Sequence, residues 1–236
     1  MEPQTAQRLL DLNRDFYSGF AGSFAQTRAA PQPGFTRLLD FLPDPCHTVV
    51  DIGCGNGRFG LFLQSNDREI SYTGVDFTDD LLQMAAAAIT GTFLTRDISR
   101  PGFLQEQGQF DLGVCLATLQ HIPGKANRVT VLREMADHLV ENGRIFLSNW
   151  QFAHSARQRR KIVTWEEVGL QPDDVEPGDY LLTWQRDGRG LRYVHLIDDE
   201  ETAALAAEAS LRVVAMYRSD GREGDLNLYS IFAKNV

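Results

Sequence analysis

Short β-branched apolar runs alternate along the chain with stretches whose apolar residues recur at helical spacing, and this alternation predicts strand-helix-strand units of the α/β class. Residues 47–52 (HTVVDI) form the first strand candidate and run into a glycine turn, Gly53-Cys54-Gly55-Asn56-Gly57, followed by a helix over 58–64. Strands are predicted over 70–76 (ISYTGVD), 91–95 and 110–116 (FDLGVCL), with a helix over 79–89 between the first two. In residues 125–140, Val129, Leu132, Met135, Ala136 and Leu139 share a helical face; Asn142-Gly143 is read as the stop, opening a fifth strand over 144–150 (RIFLSNW).

From 151 to 190 the pattern breaks. Four basic residues lie within 154–161 and six acidic ones within 166–179, with Pro172 and Pro177, which reads as an insertion or lid. A strand-like pattern resumes at 192–197, an Ala-rich helix is expected over 198–209, and 211–217 with 226–233 form a closing pair whose short link favours antiparallel pairing. Helices over 5–16 and 35–42 precede the sheet and are expected to cover a pocket. The organisation is one domain: a helical cover (1–45), a binding core (46–150), the insertion (151–190) and closing elements (191–236).

Composition narrows the function. The 236 residues carry 23 Lys plus Arg against 32 Asp plus Glu, a formal charge of −9 that opposes sequence-independent capture of a phosphate backbone except through a local patch. The longest uncharged stretch, 81–95, is too short and too polar to span a bilayer, so no membrane association is expected. Glu2, Arg8 and Asp11 leave no apolar leader at the start, which points to a cytoplasmic protein. Cys46, Cys54 and Cys115 are odd in number and lack CxxC spacing, as reduced thiols would, and no metal set is expected.

The chemistry concentrates at Asp51-Ile52-Gly53-Cys54-Gly55-Asn56-Gly57. Glycines let a tight turn bring backbone amides against a ligand. Gly55, Gly57 and Gly60 also satisfy the dinucleotide fingerprint. Asp51 argues for the other reading, since an anion there repels a pyrophosphate but holds a cationic amino-acid head group. Asp76, at the end of the second strand, is placed to accept a ribose hydroxyl pair, or else to cap the next helix; Asp97, after the third, is placed to meet an adenine amino group. Three acids at successive strand ends describe a nucleoside with a cationic amino-acid tail.

These residues resemble the class I S-adenosylmethionine-dependent methyltransferases, with DIGCGNG as the first motif. The resemblance implies a Rossmann-like, seven-stranded, mostly parallel sheet with helices on both faces. It also implies S-adenosyl-L-methionine as cofactor, held by Asp51, Gly53, Cys54, Gly55, Asn56, Gly57, Asp76, Phe77, Asp97, Ile98 and the backbone of Leu116. A narrower resemblance runs along most of the chain, to the tRNA methyltransferases that esterify the carboxymethyl group on wobble uridines. The opening segment with Thr27-Arg28, Leu119-Gln120-His121 with Arg128, Trp150, Arg192-Tyr193-Val194-His195 and the tail LNLYSIFAKN carry it. Gln120 stands where that family has a histidine, Leu228 where it has a tryptophan, and no tryptophan follows Pro33. The resemblance implies a tRNA acceptor and a small activating protein as partner; a small-molecule carboxylate acceptor, a non-catalytic cofactor-binding subunit and an NAD enzyme are the alternatives.

A carboxylate acceptor is already ionised at neutral pH and needs cations rather than a base. Arg28, Arg128, Arg192, His121 and His195 are the candidates, with Trp150 as pocket wall. For an amine or hydroxyl acceptor, His121 is the candidate base. The basic run Arg157, Arg159, Arg160, Lys161 is a candidate phosphate contact.

Overall fold

The computed structural model describes residues 1–26, 30–66 and 69–235. In chain order the elements are α1 (Pro3–Gln26), α2 (Pro33–Leu38), β1 (Thr48–Ile52), α3 (Arg58–Ser65), β2 (Ser71–Asp76), α4 (Asp79–Ala88), β3 (Thr92–Thr95), β4 (Phe110–Leu116), α5 (Lys125–Asp137) and β5 (Leu139–Trp150). Then follow α6 (Ala156–Arg159), β6 (Ile162–Val163), β7 (Asp179–Trp184), β8 (Gly190–His195), α7 (Asp199–Glu208), β9 (Leu211–Ser219) and β10 (Asn227–Lys234). Seven strands form one sheet in the order β3-β2-β1-β4-β5-β10-β9. The first five are parallel, and β10 runs antiparallel to both β5 and β9. This is the Rossmann-like class I arrangement that the resemblance implies, an α/β sheet as the alternating pattern predicts, with an antiparallel closing pair as the short link favours.

Two apolar clusters flank the sheet. One packs Val50, Ile52, Val75, Cys115, Leu132, Met135 and Leu205; the other packs Val49, Leu112, Val114, Phe146, Phe35, Phe59 and Tyr72. The alternation of Val49 and Val50 between them is the two-residue period of a strand buried on both faces. Cys54 and Cys115 are buried, and no disulfide forms among the described residues. Among the described residues no helix is long and apolar enough to cross a membrane.

Three elements differ from expectation. Helix α1 extends ten residues past 16, because Phe16, Tyr17 and Ala21 continue the buried face begun by Leu9 and Asn13. Asn142-Gly143 does not end α5, which stops at Asp137; it lies inside β5, where the register against β4 shifts between Phe110 and Leu112. Gly143 serves that bulge by close approach: a Cβ there would lie 2.8 Å from the Asp111 carbonyl oxygen. The insertion is ordered, with β6, β7 and β8 forming a second, antiparallel sheet that buries Leu181, Leu182, Tyr193 and Val194. Strand β8, read from the sequence with the closing elements, pairs with β7 instead. Asn13 of α1 docks on it as a strand would: its Nδ2 donates to the Tyr193 carbonyl (3.1 Å) and its Oδ1 accepts from the Tyr193 amide (2.8 Å).

Candidate active site

A pocket opens at the carboxyl ends of β1, β2 and β4, the position ligands take in an open α/β sheet. It brings together Asp51, Gly53, Cys54, Gly55, Asn56, Asp76, Phe77, Asp97, Ile98, Leu116 and His121, with Asn13, Arg14 and Tyr17 of α1 above them. Gly57 does not line it and sits at the start of α3. The turn itself is built from left-handed glycines, φ being +70° at Gly53, +55° at Gly55 and +74° at Gly57. A Cβ on Gly53 would come within 2.3 Å of the Thr118 side chain, whereas one on Gly55 would meet nothing within 4 Å. Gly53 is thus fixed by packing, and Gly55 leaves space above the turn free for a ligand.

Asp76 laces the turn to β2. It is buried, its Oδ2 accepts the Gly55 amide (2.9 Å) and its Oδ1 accepts the amide of Thr78, the residue before α4 (2.9 Å), so it braces the loop and the segment entering α4, without capping that helix, while retaining lone pairs for hydroxyls. Asp51 is 3% exposed and accepts a 2.7 Å hydrogen bond from the Tyr72 hydroxyl. Burial raises its pKa to about 7 against the opposing pull of that bond. A buried carboxylate at the floor of the pocket fits a cationic head group. Asp97 lines the rim but its carboxylate is engaged: Oδ1 accepts from the Ser99 amide and hydroxyl, and Oδ2 pairs with Arg14 and with Arg100 (3.1 Å). Ala117, directly after β4, holds φ +55°, a conformation that costs a non-glycine residue about 1 kcal/mol or more and marks the pocket wall as constrained.

His121 borders the pocket and sits between α1 and β8. Its Nδ1 lies 3.0 Å from the Tyr193 carbonyl oxygen and its Nε2 lies 2.8 Å from the Tyr17 hydroxyl. Gln120, in place of the histidine expected there, accepts the Trp150 backbone amide. Trp150 in turn faces Arg192, which is 4% exposed and surrounded by the rings of Trp150 (5.1 Å), Phe16 (5.3 Å) and Trp184 (5.9 Å). The Arg192 Nε is buried with no hydrogen-bond partner, and among the described residues no carboxylate pairs with the guanidinium.

His195 and Arg128 are placed elsewhere. His195 is buried between Asp179 (Nδ1, 2.6 Å) and Glu201 (Nε2, 2.7 Å), and Arg128, 1% exposed, bridges Glu201 and Glu176, each at 3.0 Å. Burial opposes the imidazolium, but its two carboxylate bonds outweigh burial and raise the pKa. Neither residue lines the pocket. Glu176, Asp179 and His195 come close enough to share an ion, yet both His195 nitrogens and the Glu176 carboxylate are spent on protein partners. Arg28, the remaining candidate, lies outside the described residues. Asn13, Arg14, Tyr17 and Arg58 were not singled out from the sequence; a buried asparagine in the apolar face of α1 was the available signal.

Residues 49–143 match a family model described as a methyltransferase domain. A protein named as a methyltransferase in Encephalitozoon cuniculi is 28% identical over 199 residues, 84% of this chain and 86% of that one. The tRNA (carboxymethyluridine(34)-5-O)-methyltransferase of Xenopus tropicalis is 26% identical over 144 residues, 61% of this chain, which spans only 22% of that relative's length. A solved S-adenosylmethionine-dependent methyltransferase from Methanosarcina mazei shares the fold at a TM-score of 0.67 and 19% identity, covering 88% of this chain and 99% of its own.

Proposed function

We propose, from the premise that this chain is an S-adenosylmethionine-dependent methyltransferase, that its acceptor is a carboxylate and that this carboxylate belongs to a carboxymethyl-uridine in tRNA. Arg192 carries the reading. A guanidinium shut among three aromatic rings without an anion is an uncompensated buried charge, costly to the fold unless a ligand supplies the partner. A planar fork suits a carboxylate, gripping it while leaving a lone pair for attack. His121 marks the boundary between the two sites: through Tyr17 and Tyr193 it touches α1 and β8, the elements that also carry Phe16 and Arg192.

The cofactor's residues fit it. Asp51 supplies the buried counter-charge for an ammonium, Asp76 has acceptor capacity for a ribose, and the space over Gly55 admits the chain between them. Bound there, S-adenosylmethionine supplies an electrophilic methyl group. The protein's work is then to exclude water and to hold the acceptor oxygen in line, which accounts for most of the rate such a displacement needs. The relatives that name carboxymethyluridine as their substrate support the tRNA assignment. A small carboxylate metabolite is the second reading, favoured by the −9 charge.

The test is a panel of acceptors, tRNA bearing carboxymethyluridine beside small carboxylates, with labelled cofactor and mass-spectrometric detection. A base-labile methyl ester on the tRNA nucleoside is the expected product. Esterification of metabolites alone supports the second reading, and no ester on either class refutes the carboxylate assignment.

A further inference from the structure

We propose that Arg58 binds the carboxylate of the cofactor's amino-acid tail, as the cationic counterpart of Asp51. The tail of S-adenosylmethionine carries an ammonium and a carboxylate on one carbon, both ionised at neutral pH, and an anion at the pocket floor answers only half of it. The turn between β1 and α3 supplies both signs. Asp51 stands at its entrance and Arg58 at its exit, and both line the same pocket with Gly55 and Asn56 between them. Because a Cβ on Gly55 would meet nothing within 4 Å, the stretch between the two charges is open to a ligand.

The guanidinium is held in place by α2 and the residue before it. Its Nη2 donates to Gln32 Oε1 at 3.0 Å, and its central carbon lies over the Phe35 ring, 5.3 Å from the centroid. Gly34, between these two residues, seats α2 on the closing strand pair. Its amide donates to Asp220 Oδ1 (2.8 Å), its carbonyl accepts from the Tyr217 hydroxyl (2.7 Å), and a Cβ there would lie 2.3 Å from the Tyr229 ring. A long side chain is thus positioned before the ligand arrives, which lowers the ordering entropy that binding costs. Neither contact supplies an anion, and the remaining N–H donors of the planar fork suit the two oxygens of a carboxylate. Two more arginines line the pocket and are placed away from the turn. Arg96 follows β3, two strands from β1, and donates to the Thr95 carbonyl at 3.1 Å. Arg14 is paired with Asp97 at that same end and with Asp11.

The test is calorimetry with two ligands: S-adenosylhomocysteine, and the aminopropyl thioether of adenosine, which keeps the ammonium and lacks the carboxylate. Wild type is compared with Arg58→Met, which retains an unbranched stem over Phe35, and with Arg58→Lys, each verified as folded. Wild type should prefer S-adenosylhomocysteine by about tenfold or more, the effect of a charge-assisted hydrogen bond. Arg58→Met should bind the two ligands about equally, holding the aminopropyl ligand as tightly as wild type does, and Arg58→Lys should regain part of the preference. Wild type binding both ligands alike, or binding neither, overturns the assignment without recourse to a variant. So does an Arg58→Met protein that keeps the wild-type preference or loses affinity equally for both ligands, and so does a lysine variant that discriminates no better than the methionine one.

Discussion

The Nδ1 of His121 faces the backbone carbonyl of Tyr193 at 3.0 Å. A carbonyl only accepts, so Nδ1 carries a proton, and Nε2 shares a hydrogen bond with the Tyr17 hydroxyl at 2.8 Å. The imidazole is held between α1 and β8. It orients the junction of the two sites, and a carboxylate acceptor asks it for no proton. His121→Ala is therefore expected to lower kcat about tenfold while leaving the pH profile of kcat flat between pH 6.5 and 9 at saturating cofactor. A loss of 10² or more, with an acidic limb in wild type that vanishes in the variant, would show general-base catalysis instead.

Asp51 makes cofactor binding depend on pH. Burial raises its pKa to about 7, and an ammonium partner favours the ionised form. Affinity for S-adenosylhomocysteine should hold near pH 7.5 and fall by up to tenfold per unit below pH 7, as each binding event must first remove the proton. Tyr72→Phe deletes the hydrogen bond that favours the anion and moves the midpoint upward; Asp51→Asn abolishes the dependence. In the unliganded protein the linkage runs the other way: the neutral carboxyl's contribution to stability is full below the ordinary value of 3.8 and is lost as pH rises through about 7. Calorimetry between pH 5.5 and 7.5 checks the first claim, and a constant affinity contradicts it.

Asp76 joins the turn to β2 through the Gly55 and Thr78 amides. Asp76→Asn keeps the shape but removes the charge that accepts these donors and the ribose. The expected loss is about 1.5–3 kcal/mol of S-adenosylhomocysteine affinity, roughly ten- to hundredfold, in a variant verified as folded. Unchanged affinity would move the ribose away from this residue.

The buried network around His195 secures the strand that carries Arg192. Asp179, Glu201, Arg128, Glu176 and the Tyr193 hydroxyl are the ionisable groups around it. Because the folded imidazolium titrates above the ordinary 6.5, its stabilisation is complete below that value and is lost as pH rises through the raised one. Tm should fall between pH 6 and 9 more steeply in wild type than in His195→Gln, and the acceptor KM should rise over the same range with cofactor affinity unchanged. Parallel Tm profiles would show that His195 is not the titrating group.

The sheet and the glycine turn were legible because their signals are local: β-branched runs, glycines in a row, acids at strand ends. The second sheet was not, because Tyr180-Leu181-Leu182-Thr183-Trp184 is a strand-like run set between six acids and a polar loop, and its partner β8 lies beyond that loop. His195 and Arg128 read as acceptor cations because nothing near them in sequence reveals Asp179, Glu176 and Glu201 as their partners, which chain folding brings from 6 to 73 residues away. Arg192 was identifiable as a cation, but its lack of a carboxylate partner among the described residues is a property of packing alone.

The measurement that tests the account most directly is methyl transfer to carboxymethyluridine RNA by Arg192→Met beside wild type, with S-adenosylhomocysteine calorimetry and Tm on both. Removing an unpaired buried charge should leave Tm equal or higher. Cofactor affinity should be unchanged, while kcat/KM for the acceptor falls by about 10² or more, as when a buried, charge-assisted bond to the ligand is lost. An Arg192→Met protein that esterifies the acceptor at the wild-type rate would contradict the central claim.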